Sequence, residues 1–460
     1  MVFASLAFIF LVLPAFLALD FIARFFKPET SRNFVLLLVS MIFYIWGEAA
    51  NVFLLLGLGV LNYAAGYIIP KSGHSRAVLI AFIGINLGVL VKYKYFYWII
   101  SLFFHDILSD SGAMPLGISF FTFHAISYLI DVYRKHIEPA RNPLDFLTYF
   151  CMFPHLVAGP IVRYAQVRDD LVARGPDRNL FSFGMYRFLI GLNKKVIIAN
   201  SVAPLADSAF SMSAAGGLQC PDAWIGITAY AIQIYFDFSG YSDMAIGLAA
   251  MAGFRFEENF RRPYSSTTIR EFWRRWHISL SSWLRDYVYI PLGGNKGSRK
   301  ITYRNLILVF FLCGLWHGAD LTFIIWGLWH GLFLILERTS FGAILDRLPR
   351  FLSRFYLLLA VLIGWVFFRA ENIHAAALYL NDMFSLTFAS VLLEYHTTAA
   401  AALAVGIFLC LFPDKYLPDP TSVRTEAFPA GAYGLQVILA VFSVALLLTG
   451  MRNPFIYFNF

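Results

Sequence analysis

Three histidines, His277, His317 and His330, lie between Arg255 and Gly331. His317 and His330 each sit fourth in a Gly-Leu-Trp-His-Gly pentapeptide, at Gly314–Gly318 and again at Gly327–Gly331. An imidazole that titrates near neutrality can take a proton from an alcohol and return one to a leaving group. Within an apolar helix such a side chain is costly unless it has a partner or a task. For His317 two readings stand: a general base in a lined pocket, or a packing histidine bonded to a backbone carbonyl. For His330, set in more regular apolar sequence, packing is the stronger reading.

His277 belongs to EFWRRWHISLSSWLRDYVYIPLGG, in which Trp273, Trp276, His277 and Trp283 fall at helical spacings. Two accounts fit. An amphipathic helix lying in the membrane interface needs no catalysis. Alternatively, Arg270, Arg274, Arg275 and Arg285, with Trp276 among them, would hold a phosphate-rich, adenine-bearing donor such as a coenzyme A thioester. Asp237, Ser239 and Asp243 occupy IQIYFDFSGYSDMAIG. Carboxylates at membrane depth mark either function or an internal ion pair to a nearby Lys or Arg. The chain ends in PFIYFNF, where Tyr457 is an acyl acceptor if a base deprotonates it, or else part of an aromatic belt. Gly293–Gly297 lacks the Ser/Thr and the helix that follow a phosphate-binding loop, and reads as a turn.

The elements that must position these groups are membrane helices. Of 460 residues, 59% are hydrophobic and 14% charged, against roughly a quarter charged in soluble domains. Several apolar runs reach the roughly 20 residues that cross a bilayer core. From Arg255 to Arg304 there are eleven Lys/Arg and four Asp/Glu, so +7 of the formal +8 is local. Such a patch suits a cytoplasmic face or an anionic ligand. No nucleic-acid motif accompanies it. Cys151, Cys220, Cys313 and Cys410 are far apart, with neither a metal-binding spacing nor a disulfide framework, so no metal is expected. The N-terminal run lacks the basic start of a cleaved signal and reads as a retained first helix.

The spans expected are 3–24, 34–47, 51–69, 78–103 (interrupted by Lys92–Tyr95), 114–133, 144–162, a short or re-entrant 181–206, 223–254, the hairpin 303–337, two or three between 352 and 412, and 433–450. Leu306–Leu336 would be about 46 Å long as one helix, so it must break, with Gly318–Asp320 the expected place. The same arithmetic predicts a break in 223–254 near DFSGYSD. Linkers are expected at 413–431 and 167–179. Asp237 and Asp243 also leave open an ion-coupled secondary transporter, although inverted repeats are not evident in the sequence. A purely structural subunit of an export complex is a third class.

Two long stretches, IYFDFSGYSDMAIGLAAMAGFRFEENFRRPYSSTTIREFWRRWHISLSSWLRDYVYIPLGGNKGS and LCGLWHGADLTFIIWGLWHG, resemble the membrane-bound O-acyltransferases. They are most similar to the bacterial branch that includes alginate O-acetyltransferase membrane subunits. PLGISFFTFHAISYLIDVYR and FPHLVAGPIVRY extend the resemblance, which covers roughly Pro115 to Glu337. It implies an all-α multi-pass membrane protein, with about eleven to thirteen transmembrane helices plus re-entrant and interfacial ones in a ring around a tunnel. Three segments follow: N-terminal helices 1–110, a catalytic core 111–340 with interfacial helices 255–300, and C-terminal helices with the tail, 341–460. It implies a catalytic His317 and His277, and an acyl relay through Tyr457. It implies acetyl-CoA as a donor substrate with no permanently bound cofactor, and transfer to an extracytoplasmic polysaccharide such as alginate. Peptidoglycan, cellulose and teichoic acid are the alternative acceptors. The implied setting is the bacterial inner membrane, beside a soluble SGNH-type acetyltransferase partner and a polysaccharide export complex.

Overall fold

The computed structural model describes residues 3–101, 103, 114–175, 177–390, 392, 396–412, 430–453 and 456. Tyr457 and residues 413–429 of the expected linker lie outside them. The described secondary structure is helical throughout. Among the described residues, five stretches are long and apolar enough to cross a membrane: Glu29–Lys71, Ser75–Ser101, Arg178–Ala214, Arg350–Arg369 and Gly431–Leu448. Phe8–Ala23, Ile118–Tyr133, Leu321–Leu336 and Thr397–Leu411 are shorter apolar helices. Large apolar side chains such as Phe53 (79% exposed) and Ile438 (67%) point outward from them. Exposure on that scale is tolerable only against lipid or another apolar surface. The chain is an all-α, multi-pass membrane protein.

Several expected boundaries move. Lys92–Tyr95 does not interrupt its helix but forms a π-turn, Val91–Tyr95, between two α segments. Lys194 and Lys195 likewise lie in a π segment, Lys194–Asn200, within a helical run extending from Arg178 to Ala214. That run is longer than the re-entrant element expected. Cys220–Met251 is one unbroken helix of 32 residues. The expected break is absent because Asp237 and Asp243 are neutralised by cations from other helices, which removes any need to open the backbone. Residues 144–162 form only two short helices, Pro143–Cys151 and Phe153–Leu156, separated at Met152 by extended backbone. In 167–179, helix Tyr164–Val172 occupies the first part of the expected linker.

The chain divides into two compact units. The first comprises Met1–Gly191, Tyr241–Glu258 and Pro420–Ala440. It is tied together by buried polar groups whose bonds are made within the protein, as a low-dielectric setting requires. Arg32 donates to both oxygens of Asp20 (2.8 and 3.0 Å) and to the carbonyls of Arg174 and Ala252 (3.0 and 2.9 Å). Asn62 and Asn86 exchange reciprocal amide bonds at 3.0 and 2.8 Å. Arg187 donates to Asp243 at 2.6 and 3.0 Å and to Glu258 at 2.5 and 2.9 Å.

The second unit comprises Leu192–Gly240, Asn259–Asp419 and Val441–Phe460. Its centre is the hairpin of Arg299–His317 and Leu321–Leu336. The break falls where length arithmetic puts it. Gly318 is extended (φ −162°, ψ 155°), and Asp320 caps the next helix by accepting from the Thr322 N–H at 2.8 Å. The doubled pentapeptide has a packing cause. A Cβ on Gly327 would lie 2.2 Å from the Phe310 carbonyl oxygen, and one on Gly314 would lie 2.3 Å from that of Phe323. These two glycines are where the helix backbones touch. On Gly331 the nearest atom would be the Phe310 Cβ, at 3.1 Å. Gly327→Ala is therefore expected to cost about 1–3 kcal/mol through forced separation of the helices, and Gly331→Ala distinctly less. Thermal unfolding of the two purified variants checks the order; equal midpoints would refute it.

Candidate functional site

His317 is the last residue of its helix and is 3% exposed. Its ring is boxed by Trp316 (4.9 Å between centroids), Trp326 (4.9 Å) and Phe368 (5.2 Å), all nearly perpendicular to it. Phe368 and Phe323, with Asp320 and Thr322 from the hairpin turn, line a cavity of about 1510 Å³. The histidine thus stands one aromatic layer from a large, half-open cavity, at a helix end that the sequence breaks with Gly and caps with Asp. His330 is different. It is fully buried against Phe272, Trp273 and Trp326. Gly364 leaves room for it: a Cβ there would lie 3.1 Å from Nε2. His330 is a packing residue.

His277 does not lie within a continuous amphipathic helix. Helices Ile269–Arg275 and Ile278–Leu284 stop on either side of it, Trp276 is extended, and His277 takes a left-handed conformation (φ 43°, ψ 56°). Trp273, Trp276 and Trp283 are buried in the unit, which removes the expected role as exposed interface anchors. The His277 ring, itself fully buried, meets Phe238 at 4.7 Å and Trp316 at 6.0 Å. Trp316 therefore packs against both His277 and His317, the two histidines that the resemblance implies are catalytic.

The hydrogen bonds around Asn259 fix the His277 tautomer. Asn259 Oδ1 accepts from the Ser279 N–H (3.2 Å) and the Ser279 hydroxyl (2.9 Å), so it is the acceptor end of the amide. It faces His277 Nδ1 at 3.3 Å, and Nδ1 must carry the hydrogen. Burial pushes the His277 imidazole down to about 3, so the ring is neutral. Nε2 is left as a lone-pair acceptor with no hydrogen-bond partner among the described residues. Asn259 was not singled out from the sequence, since only the fold brings it to His277.

The cationic candidates are distributed differently. Arg270, Arg274 and Arg285 are exposed and Arg275 is half-buried. The Arg270 backbone N–H donates to Glu337 at 3.0 Å, and its guanidinium to the Glu337 carbonyl at 3.2 Å. Arg275 pairs with Glu271 at 2.7 Å, and Arg285 with Asp286 at 2.6 Å. Trp276 is 1% exposed and stacked on Phe272 at 5.5 Å, so its ring packs in the interior and offers no open face to an adenine.

Asp237 and Asp243 are both in ion pairs, the alternative that the sequence left open. Asp243 pairs with Arg187. Asp237 Oδ1 pairs with Lys195 at 2.5 Å, and its Oδ2 accepts from the Ile456 N–H at 2.8 Å. These pairings occupy the carboxylates that a transported cation would need. Ser239 is buried, and its hydroxyl has no hydrogen-bond partner among the described residues.

Residues 133–376 match the MBOAT, membrane-bound O-acyltransferase family. The chain is 41% identical over 500 aligned positions, covering all of both chains, to a probable alginate O-acetylase AlgI of Pseudomonas putida. It is 46% identical to the probable alginate O-acetylase AlgI of Pseudomonas aeruginosa, over 84% of this chain and 75% of that one. A peptidoglycan O-acetyltransferase of Helicobacter pylori is 35% identical over 81% of this chain and 78% of its own. With relatives of this kind aligned along its length and the family pattern spanning the histidine hairpin, the chain belongs to the membrane-bound O-acyltransferase family and is an O-acyltransferase enzyme.

Proposed function

We propose that the enzyme takes an acetyl group from cytoplasmic acetyl-CoA and delivers it across the bacterial inner membrane for O-acetylation of an extracytoplasmic polysaccharide such as alginate. The observation that carries this reading is His317, placed at a helix break, boxed by rings and packed on Phe368, which lines the cavity. The acceptor class follows the alginate O-acetylases that align with the chain.

In this mechanism His317 takes the proton of the acceptor hydroxyl as its oxygen attacks the thioester carbonyl. The tetrahedral intermediate collapses with cleavage of the C–S bond, and the imidazolium returns a proton to the departing thiolate. His277 has no free N–H to offer the carbonyl oxygen. Its Nε2 lone pair suits a hydroxyl donor, so its task is to orient the acceptor. The exposed Arg270, Arg274 and Arg285 would contact the phosphates of the donor. Tyr457 would carry the acetyl group onward to a soluble SGNH-type partner, which completes transfer within the export machinery.

Deleting the gene and measuring base-released acetate on purified cell fractions tests the acceptor. Loss of acetate from the exopolysaccharide alone is expected. Loss confined to peptidoglycan or teichoic acid would replace the polysaccharide assignment, and loss from cellulose would change which polysaccharide it is.

A further inference from the structure

The C-terminal segment of the second unit is fastened to the cavity wall by side chains that the acyl-transfer chemistry does not use. Three polar ties are made in sequence. Ser443 Oγ donates to Asn193 Oδ1 at 2.9 Å. Asn200 Nδ2 donates to Asn453 Oδ1 at 3.1 Å. The Ile456 N–H donates to Asp237 Oδ2 at 2.8 Å, while the other carboxylate oxygen pairs with Lys195. Lys195 and Asn200 both belong to the π segment Lys194–Asn200. Such segments are rare and concentrate at functional sites. Asp237 and Lys195 are 1% and 3% exposed, and Ile456 is buried.

This arrangement does more than neutralise a buried acid. Lys195 forms an ion pair with one oxygen; the second accepts from a peptide N–H that would otherwise be buried without a partner. A bond to a backbone amide fixes where the chain runs, whichever side chain it carries. Asn200, Asn453 and Ile456 line the same cavity as Phe323 and Phe368, the latter packed on His317. Tyr457 is the next residue in the sequence.

We propose that Asp237, its charge balanced by Lys195, is a clasp that holds the C-terminal segment at the wall of the cavity lined by Phe368, making Asp237 a positioning residue for acyl transfer. The functional half of this proposal rests on reading that cavity as the transfer site. The clasp itself does not.

Two double variants of the full-length purified protein separate the clasp from the ion pair. Lys195→Met with Asp237→Asn, and Lys195→Met with Asp237→Leu, both remove the charges, but only the first keeps an oxygen for the Ile456 N–H. Carboxypeptidase digestion followed by intact mass reads the tail directly. Trimming is expected to stop at or before Ile456 in the wild type and in the Asn variant, and to pass Ile456 in the Leu variant. With acetyl-CoA as donor, kcat of the Leu variant is expected at least about tenfold below that of the Asn variant, since small misplacements near a reacting centre are costly. The thermal midpoints of the two should agree. Equal trimming of the two variants overturns the clasp, and unequal trimming with equal kcat overturns its role in positioning. His317→Ala is expected to be trimmed like the wild type, so a failure of the His317 assignment leaves the trimming result intact.

Discussion

His317→Ala lowers acyl transfer by about 10²–10⁴-fold, the usual contribution of a positioned acid–base group, while the protein stays inserted in the membrane. The expectation follows from where the ring stands. His317 closes its helix, so truncating it breaks no helical turn. The box of Trp316, Trp326 and Phe368 loses the ring it encloses, while Trp326 and Phe368 keep their mutual contact at 4.9 Å. His330→Ala is the informative control. It removes the same side chain from the second pentapeptide, where the ring is packed between Phe272, Trp273 and Trp326. Its expected effect is on thermal stability, with kcat per folded molecule retained. If both variants lose activity only in proportion to folded protein, His317 is a packing residue as well.

The second large effect is on stability. Arg187→Met is expected to destabilise the first unit by about 3–5 kcal/mol, the cost of removing one partner from a buried ion pair. Arg187 is 4% exposed and its two acceptors, Asp243 and Glu258, are similarly buried. Without the guanidinium, two carboxylates are left facing each other in a low-dielectric interior. Adding Asp243→Asn and Glu258→Gln to Arg187→Met should restore much of the lost stability by removing the two charges that the guanidinium had balanced. Thermal unfolding in detergent reads the series. An unchanged midpoint for Arg187→Met alone contradicts this account of the triad.

How much of this could be seen in the sequence depended on the range of the interaction. The break at Gly318–Asp320 was legible because it is local: a run too long for a membrane, a glycine and a helix-capping aspartate stand together. The same reasoning failed for Cys220–Met251. Span length constrains a helix that faces lipid on all sides, whereas this one is buried along much of its length and its acids are paired. That Asp237 and Asp243 needed partners was clear from their apolar setting. That the partners were Lys195 and Arg187 was not, because tertiary packing alone brings those helices together. His277 misled for a related reason. Tryptophans at helical spacing suggest one helix, but Asn259 and Ser279 hold the chain in a left-handed turn that only a buried hydrogen-bond network explains. The repeated pentapeptide looked like two similar sites. Gly314 and Gly327 mark helix contact, and of the two histidines His317 packs on Phe368, which lines the cavity.

The most direct measurement uses purified full-length protein with labelled acetyl-CoA, following free thiol and the fate of the label together. The account predicts stoichiometric release of coenzyme A with label passing to a hydroxyl, and loss of both signals in His317→Ala. Thiol release by His317→Ala at the wild-type rate, or no consumption of acetyl-CoA by the wild-type enzyme, would contradict it.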